Sequence, residues 1–363
     1  MCLICNTKNI SRLVKIRVLN CRGCPLLTNI PKELVNLKIL KCNNCPNLKE
    51  IPKELVNLEE LDCCNCPLLT HIPKELVNLI RLECFQCFNL TDIPKELVNL
   101  RKIDCSYCPE LFEIPTFENL ERLNCYRCDN LKAIGKCNKL ETLECGWCPI
   151  SKIPNTFTNL TELDCSSCKY IKEIPKELVN LTIIDCHGSN IFEIPKEFVK
   201  LDTLRCGNCK NITSIPNELV NLNTLSISFC KNIVEIDNEG LVKLQIIECD
   251  ACPNLIRIPK EFVSLNIILC SNCPKLTDIP DFINLEDLDA DNCASLIFAP
   301  EKFLNDKLKI TVERNYQTYR QKCCKKLVDT ILEELIQKTW EPKRAMNWCW
   351  DEEEKKFMSN YVC

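Results

Sequence analysis

Ile-Pro recurs at Ile30-Pro31, Ile51-Pro52, Ile72-Pro73, Ile93-Pro94 and Ile114-Pro115, each pair 21 residues after the last. A fixed period of this length means that one small unit is copied along the chain, and a unit this short cannot bury a core alone. The copies must stack, so the chain forms an elongated array. Equivalent sites continue, with the period wobbling by one or two residues, through Ile134-Gly135, Ile153-Pro154, Ile174-Pro175 and onward to Ala299-Pro300, fourteen units in all.

The unit reads L-x-x-L-x-C-x-x-C-P-x-L-x-x-I-P-K-E-L-V-N, as in Leu37, Leu40, Cys42, Cys45, Leu48, Ile51, Pro52 and Leu55. In L-x-x-L-x-C the inward positions alternate with outward ones, which is the pattern of a short strand with one buried face. The Pro after each Ile fixes φ and lacks an N–H, so the chain turns there onto the opposite side of the coil. The K-E-L-V-N-L return has space for one helical or 3₁₀ turn and none for a long helix. Parallel strands stacked about 4.8 Å apart give a solenoid roughly 60 Å long.

This pattern resembles the leucine-rich repeat family, in its cysteine-bearing form and with Cys also replacing the third Leu of the signature. The resemblance covers roughly residues 16 to 302. The monotonous I-P-K-E-L-V-N-L unit further resembles cysteine-rich repeat proteins of giant viruses of amoebae. The expected fold is an α/β-type solenoid of about fourteen coils with short parallel strands, short helical or 3₁₀ turns and a small C-terminal helical segment. Residues 1–15 form an N-terminal cap or degenerate half repeat around Cys2, Cys5, Ile10 and Leu13, residues 16–302 the solenoid, and residues 303–363 a C-terminal helical cap or docking tail. In that tail, Tyr316, Tyr319, Cys323, Leu327, Ile331 and Leu335 have helical spacing up to about Trp340. A second helix is expected from Asp351, and Trp340, Trp348 and Trp350 either seal the last coil or anchor a second protein.

With 46 Lys and Arg against 50 Asp and Glu, the chain lacks the basic footprint of a nucleic-acid or anionic-membrane binder. Charged residues interrupt every apolar stretch, so no membrane span is expected. Met1 to Lys8 shows no signal-peptide pattern, which points to a reducing compartment: the cytoplasm, or that of a host cell if the protein is viral. Glycosylation triplets at Asn9, Asn89, Asn159, Asn180 and Asn211 are then accidental.

Most of the 33 cysteines stand in two columns, one running from Cys21 and Cys42 to Cys270 and the other from Cys24 and Cys45 to Cys293. Taken locally, each C-x-x-C pair imitates a zinc ribbon. The repeat explains the spacing without metal, because both columns fall on inward positions that take a small apolar side chain. Ile227 and Ala290 replace Cys in the first column and Ser189 in the second, and none of these is a usual zinc ligand. Disulfide ladders are disfavoured because in-register neighbours keep Cβ atoms about 4.8 Å apart, beyond the usual window. The expectation is buried thiols with no resident metal or cofactor.

No catalytic constellation is legible. The two histidines, His71 and His187, fall in distant coils, and His187 cannot serve Cys186 because adjacent strand residues face opposite ways. The expected function is therefore a non-enzymatic protein–protein interaction scaffold that binds a partner through its concave strand face. One alternative is an adaptor whose tail recruits a second protein; another is a thiol-rich metal or redox protein. Eight of the fourteen outward residues just before the first cysteine column are acidic, among them Asp104 and Glu144. Carboxylates about 5 Å apart repel by about 0.8 kcal/mol even in water, so the column suggests a partner with a basic surface. Between the cysteine columns Asn, Ser and Gly predominate, but Phe85, Tyr107, Tyr126 and Trp147 break the rule in four consecutive coils. With Arg81, Lys102, Arg122, Asp104 and Glu144 around them, these aromatics have the composition of an interface core and rim.

Overall fold

The computed structural model describes residues 3–6, 13–236, 240–303, 312, 314–319, 322 and 325. Fourteen three-residue strands, from Val18–Asn20 to Asp287–Asp289, form one parallel sheet in chain order. Coils 1 to 14 take their numbers from these strands. Register is unbroken, with Leu19 opposite Leu40, Leu40 opposite Leu61 and Ile103 opposite Leu123. The middle residue of each strand points into the core, and only in coil 14, at Leu288, is it left half-buried.

Inside each coil the repeat places the same side chains. In coil 2 Leu40, Cys42, Cys45, Leu48, Leu55 and Leu58 are all fully buried. Burying one such Leu is worth about 1.5–3 kcal/mol. The return segment expected to be a single helical or 3₁₀ turn is two linked turns: Leu34 N donates to Pro31 O at 3.3 Å, and Leu37 N to Leu34 O at 3.0 Å. A proline start and two inward leucines three residues apart leave no run long enough to propagate a helix.

Side chains seal the polar backbone between coils. In the second cysteine column each thiol from Cys45 onward donates to a carbonyl of the preceding coil, as Cys66 Sγ to Cys42 O at 3.2 Å and Cys128 Sγ to Cys105 O at 3.1 Å. Hydrogen bonding to Cys66, together with burial, holds the Cys42 thiol well above the usual range; Cys87 and burial do the same for Cys63. These two first-column thiols stay protonated, and Cys63 Sγ donates to Glu83 O at 3.5 Å. Asparagines do the parallel work on the outer turns, where Asn57 Nδ2 donates to Val35 O and Asn78 Nδ2 to Val56 O, both at 2.9 Å. The triplet residues Asn89, Asn159, Asn180 and Asn211 belong to such ladders and donate to Pro67, Asn138, Thr158 and Asn190 carbonyls. Packing therefore accounts for those asparagines; Asn9 lies outside the described residues.

Coils 5 and 6 depart from the rule. A second, two-stranded sheet pairs Glu113–Ile114 with Ala133–Ile134. Gly135 replaces the proline there, and its N–H donates to Ile114 O at 2.7 Å. An added Cβ at Gly135 would lie 2.5 Å from Thr116 N, so the coils approach too closely for any side chain.

At the N-terminal end, residues Leu3–Asn6 form a helical turn, and Ile4 and Cys5 pack against the core. At the other end residues 314–319 are helical, as the tail pattern predicts. Asn315 Nδ2 donates to Ala294 O at 2.7 Å and Leu296 O at 2.9 Å, and the Tyr316 ring meets Phe298 edge-on at 5.5 Å. This first part of the tail covers the last coil. Cys2, Ile10, Cys323, Leu327, Ile331, Leu335, Trp340, Trp348, Trp350 and the helix expected from Asp351 lie outside the described residues. Among the described residues no helix is long and apolar enough to cross a membrane.

Candidate functional site

The chain between the two cysteine columns makes one tight turn per coil, and its second residue is left-handed in every coil, from Gly23 (φ 65°) to Asn292 (φ 61°). This geometry explains the abundance of Asn, Ser and Gly there, since Gly and Asn enter that region at least cost. Tyr107 (φ 56°) and Trp147 (φ 63°) occupy the same strained position. A bulky residue there is an outlier, held against a penalty of roughly 1–2 kcal/mol. Phe85 and Tyr126 stand at the relaxed first position of the turn. Phe229 (φ 64°), exposed in coil 11, is a further strained aromatic that composition alone did not single out.

Three of the four aromatics meet directly, and the fourth joins them through an arginine, in a zigzag across coils 4 to 7. Phe85 and Tyr107 pack edge to face at 5.7 Å between ring centres, and Tyr107 and Tyr126 lie tilted at 5.8 Å. Trp147 joins through Arg127, a residue the sequence reading passed over, whose guanidinium is 4.8 Å from the Trp147 ring and 5.8 Å from Tyr107. Gly146 makes way for the Tyr126 ring, since a Cβ there would come within 2.8 Å of it. The expectation of four exposed rings is therefore adjusted. Phe85, Tyr107 and Tyr126 are half-buried by one another, and only Trp147, 46% exposed, stands clear.

The acidic column has a local duty that the sequence reading did not assign. Asp104 Oδ1 accepts from Ser106 N at 3.0 Å, Asp164 Oδ1 from Ser166 N at 2.8 Å, and Asp185 Oδ1 from His187 N at 3.0 Å. These are Asx turns, in which a short carboxylate or amide caps the turn two residues on. Asn20 and Asn124 do the same. Glu144 is too long for that role. Burial, with Asp164, Asp104 and Glu162 close by, raises its carboxyl above the usual range. Glu144 thus stands in the column at an electrostatic cost without a capping role.

His71 and His187 are exposed and sit in coils 3 and 9; His71 Nδ1 meets only the neighbouring Thr70 hydroxyl, at 3.0 Å. Cys186 is buried while His187 is exposed, as strand alternation requires. An open cleft of about 900 Å³ runs along the Ile-Pro-Lys-Glu edge past Lys53, His71, Lys74 and Glu75, with alternating charges and no converging set of groups.

The Leucine Rich Repeat family model matches residues 57–79, from the end of the coil 2 return through the strand and return of coil 3. The functional domain of InlJ from Listeria monocytogenes, described as including a cysteine ladder, superposes with a TM-score of 0.63 at 22% identity, over 75% of this chain and 61% of that one. The chain thus spans about three fifths of that structure. The leucine-rich repeat protein LIC12759 of Leptospira interrogans gives 0.54 at 24% identity, covering 76% of this chain and 80% of its own. YopM, a leucine-rich effector of Yersinia pestis, gives 0.51 at 17%, covering 78% and 86%. No curated protein matches the sequence. The fold is a leucine-rich-repeat solenoid, an architecture commonly used as a scaffold for protein–protein interaction.

Proposed function

We propose that this protein is a non-catalytic scaffold that binds a partner protein through the strand face of coils 4 to 7. The observation that carries the reading is the continuous ridge of Phe85, Tyr107, Tyr126, Arg127 and Trp147. Two of its rings occupy left-handed positions that Asn or Gly would fill at less cost. Aromatic and Arg side chains are the usual anchors of protein interfaces, and strain at a surface turn is the mark of a site kept for use. Asp104 and Glu144, beside the ridge, favour a partner with a basic surface. A reducing compartment, the cytoplasm, suits this reading, because the second-column hydrogen bonds need the S–H proton.

The test compares the intact chain with Tyr126→Ala/Trp147→Ala. Proteins captured by the intact chain are identified, and the affinity of a captured partner is then measured for both. A true anchor costs about 2 kcal/mol or more, so the double variant binds at least about thirtyfold more weakly while its thermal unfolding is nearly unchanged. Unaltered affinity removes the ridge from the account. Loss of folding instead assigns the rings to the core.

A further inference from the structure

Cys64 belongs to neither cysteine column. It follows the buried Cys63, points outward on the strand face and is only half-buried. Its Sγ lies within 4.8 Å of a carboxylate oxygen of Asp62 and of Glu83, and those oxygens lie within the same distance of each other. Among the described residues neither carboxylate has an ion-pair partner, although Lys41 pairs in register with Asp62 and Arg81 lies two residues before Glu83.

A second feature stands beside this cluster. Asn43, in the coil below, is 6% exposed, and its Oδ1 is buried with no hydrogen-bond partner. The flanking backbone fixes its place: Cys42 N donates to Asp62 O and Asn44 N to Cys64 O, both at 2.8 Å. Asn43 therefore shares the outward face with Asp62 and Cys64. Ser271, at the same place in coil 13, reaches across to the carboxylate of Asp289, the counterpart of Asp62 in coil 14. Asn43 stands in that same relation to Asp62, and its Oδ1 finds no donor among the protein groups. An unpartnered acceptor thus lies buried on the face that carries the thiol and the two carboxylates, where Asp62 Oδ1 accepts from Cys64 N at 3.3 Å, and a cation would bring the four groups together.

We propose that Asp62, Cys64 and Glu83, with the Asn43 carbonyl oxygen as fourth ligand, form a site for one thiophilic divalent cation of the zinc class. One sulfur and three oxygens, each on a separate side chain, match a four-coordinate ion with Zn–S of about 2.3 Å and Zn–O of about 2.0–2.2 Å. The Asp62, Cys64 and Glu83 ligand atoms, all within 4.8 Å of one another, can close on an ion by side-chain rotation. The thiol makes the site softer than an all-oxygen one suited to magnesium or calcium. Binding replaces the Cys64 thiol proton with the metal and releases that proton to solvent. The second cysteine column remains outside the site, because its thiols donate to carbonyls of the preceding coil, and the first column points inward, fully buried in the core.

The test titrates the full reduced chain anaerobically with Co²⁺ and follows the thiolate-to-cobalt charge-transfer band, with Zn²⁺ as competitor. The expected result is saturation at one equivalent and full displacement by Zn²⁺. Cys64→Ser removes the band, Glu83→Gln and Asn43→Ala each weaken binding at least about tenfold, and Asp164→Asn leaves it unchanged. Because Glu83 and Asn43 lie outside the hydrophobic core, the result does not depend on Cys64→Ser alone, and thermal melts verify that each variant folds. A band that survives Cys64→Ser, a stoichiometry of several ions per chain, no band at all, or indifference to both Glu83→Gln and Asn43→Ala overturns the proposal.

Discussion

Coils 1 to 4 and coils 5 to 7 are built from the same template, yet only the first group keeps its return segment unchanged throughout. In coils 1 to 4 the return reads Ile-Pro-Lys-Glu-Leu-Val-Asn-Leu without exception, and Val35, Val56, Val77 and Val98 make an exposed apolar stripe along it. In coils 5 and 6 the return is a residue shorter and a second small sheet forms, and in coils 5 to 7 the stripe is interrupted by Glu118, Asn138 and Thr158. The stripe resumes at Val179. On the strand side, the same irregular stretch carries Tyr107, Tyr126, Arg127 and Trp147. The inward positions of both groups are nonetheless interchangeable, with Leu40 and Leu123 both buried to within 1%. Stacking thus constrains the inner face equally everywhere, while the outer surface is free to change where something other than stacking selects it.

The largest effect should come from the shared inner face. Leu40→Ala and Leu123→Ala should each cost about 2–5 kcal/mol in denaturant melts, because both leave a cavity in a core without slack. Glu121→Ala, which loses only the exposed 2.9 Å pair with Arg101, should cost about 0–1 kcal/mol. A Leu123 variant as mild as Glu121→Ala would mean that the irregular coils are not packed like the regular ones.

Next comes close approach between coils. Gly135→Ala places a Cβ 2.5 Å from the Thr116 backbone nitrogen, which cannot rotate away, and should cost about 1–3 kcal/mol. Gly146→Ala meets the Ser166 hydroxyl at 2.6 Å and the Tyr126 ring at 2.8 Å, both of which can move. It should cost less in melts and change tyrosine fluorescence more. The reverse order would place the tight contact under the ridge rather than at the second sheet.

A smaller effect separates the two groups most directly. Trp147→Asn exchanges a strained residue for one that tolerates φ of 63° and gives up the Arg127 contact. A gain of about 1 kcal/mol from relieved strain against about 0.5–1 kcal/mol for a surface cation–π contact leaves stability level or slightly raised. Asn44→Trp, the same position in coil 2 (φ 58°), has no arginine beside it in coil 1 or 3, where Gly23 and Asn65 stand, and should lose about 1–2 kcal/mol. Equal and opposite changes at the two sites would mean that the ridge contributes nothing to the stability of its own rings.

How far the sequence reveals this molecule follows the same division. Coil number, strand face and both buried cysteine columns are legible because one inward requirement is restated fourteen times. The turn geometry is less legible, since a left-handed φ leaves only a bias toward Asn and Gly, and Tyr107 and Trp147 contradict that bias. The acidic column was read as pure surface charge because an Asx turn depends on which backbone N–H lies two residues on, a feature of conformation rather than composition. Arg127 escaped notice because its meaning comes from rings in coils on both sides. Asn43 and Cys64 escaped for a related reason. Each is unremarkable alone, and only the stacking register brings them beside Asp62 and Glu83.

The smallest expected effect tests whether the outer surface of the two groups differs in charge economy. Glu144 is exposed, yet partial desolvation, with Asp164, Asp104 and Glu162 near it, raises its carboxyl above the usual range. A raised carboxyl binds its proton more tightly in the folded chain than in the unfolded one, so folding is disfavoured as pH rises through the interval between the two values. Acidification from neutrality toward that interval should therefore strengthen coil 7 and its neighbours, opposite to the usual acid lability of paired carboxylates. In coils 1 and 2 the same column holds Asn20 and Lys41, and no such gain is expected there. Hydrogen exchange, corrected for its intrinsic pH dependence, should show added protection near Glu144 at mildly acid pH and none near Lys41. Glu144→Gln should remove that added protection and raise stability at neutral pH. Uniform protection in both groups, or loss of protection near Glu144 on acidification, would mean that a counter-charge already offsets the column.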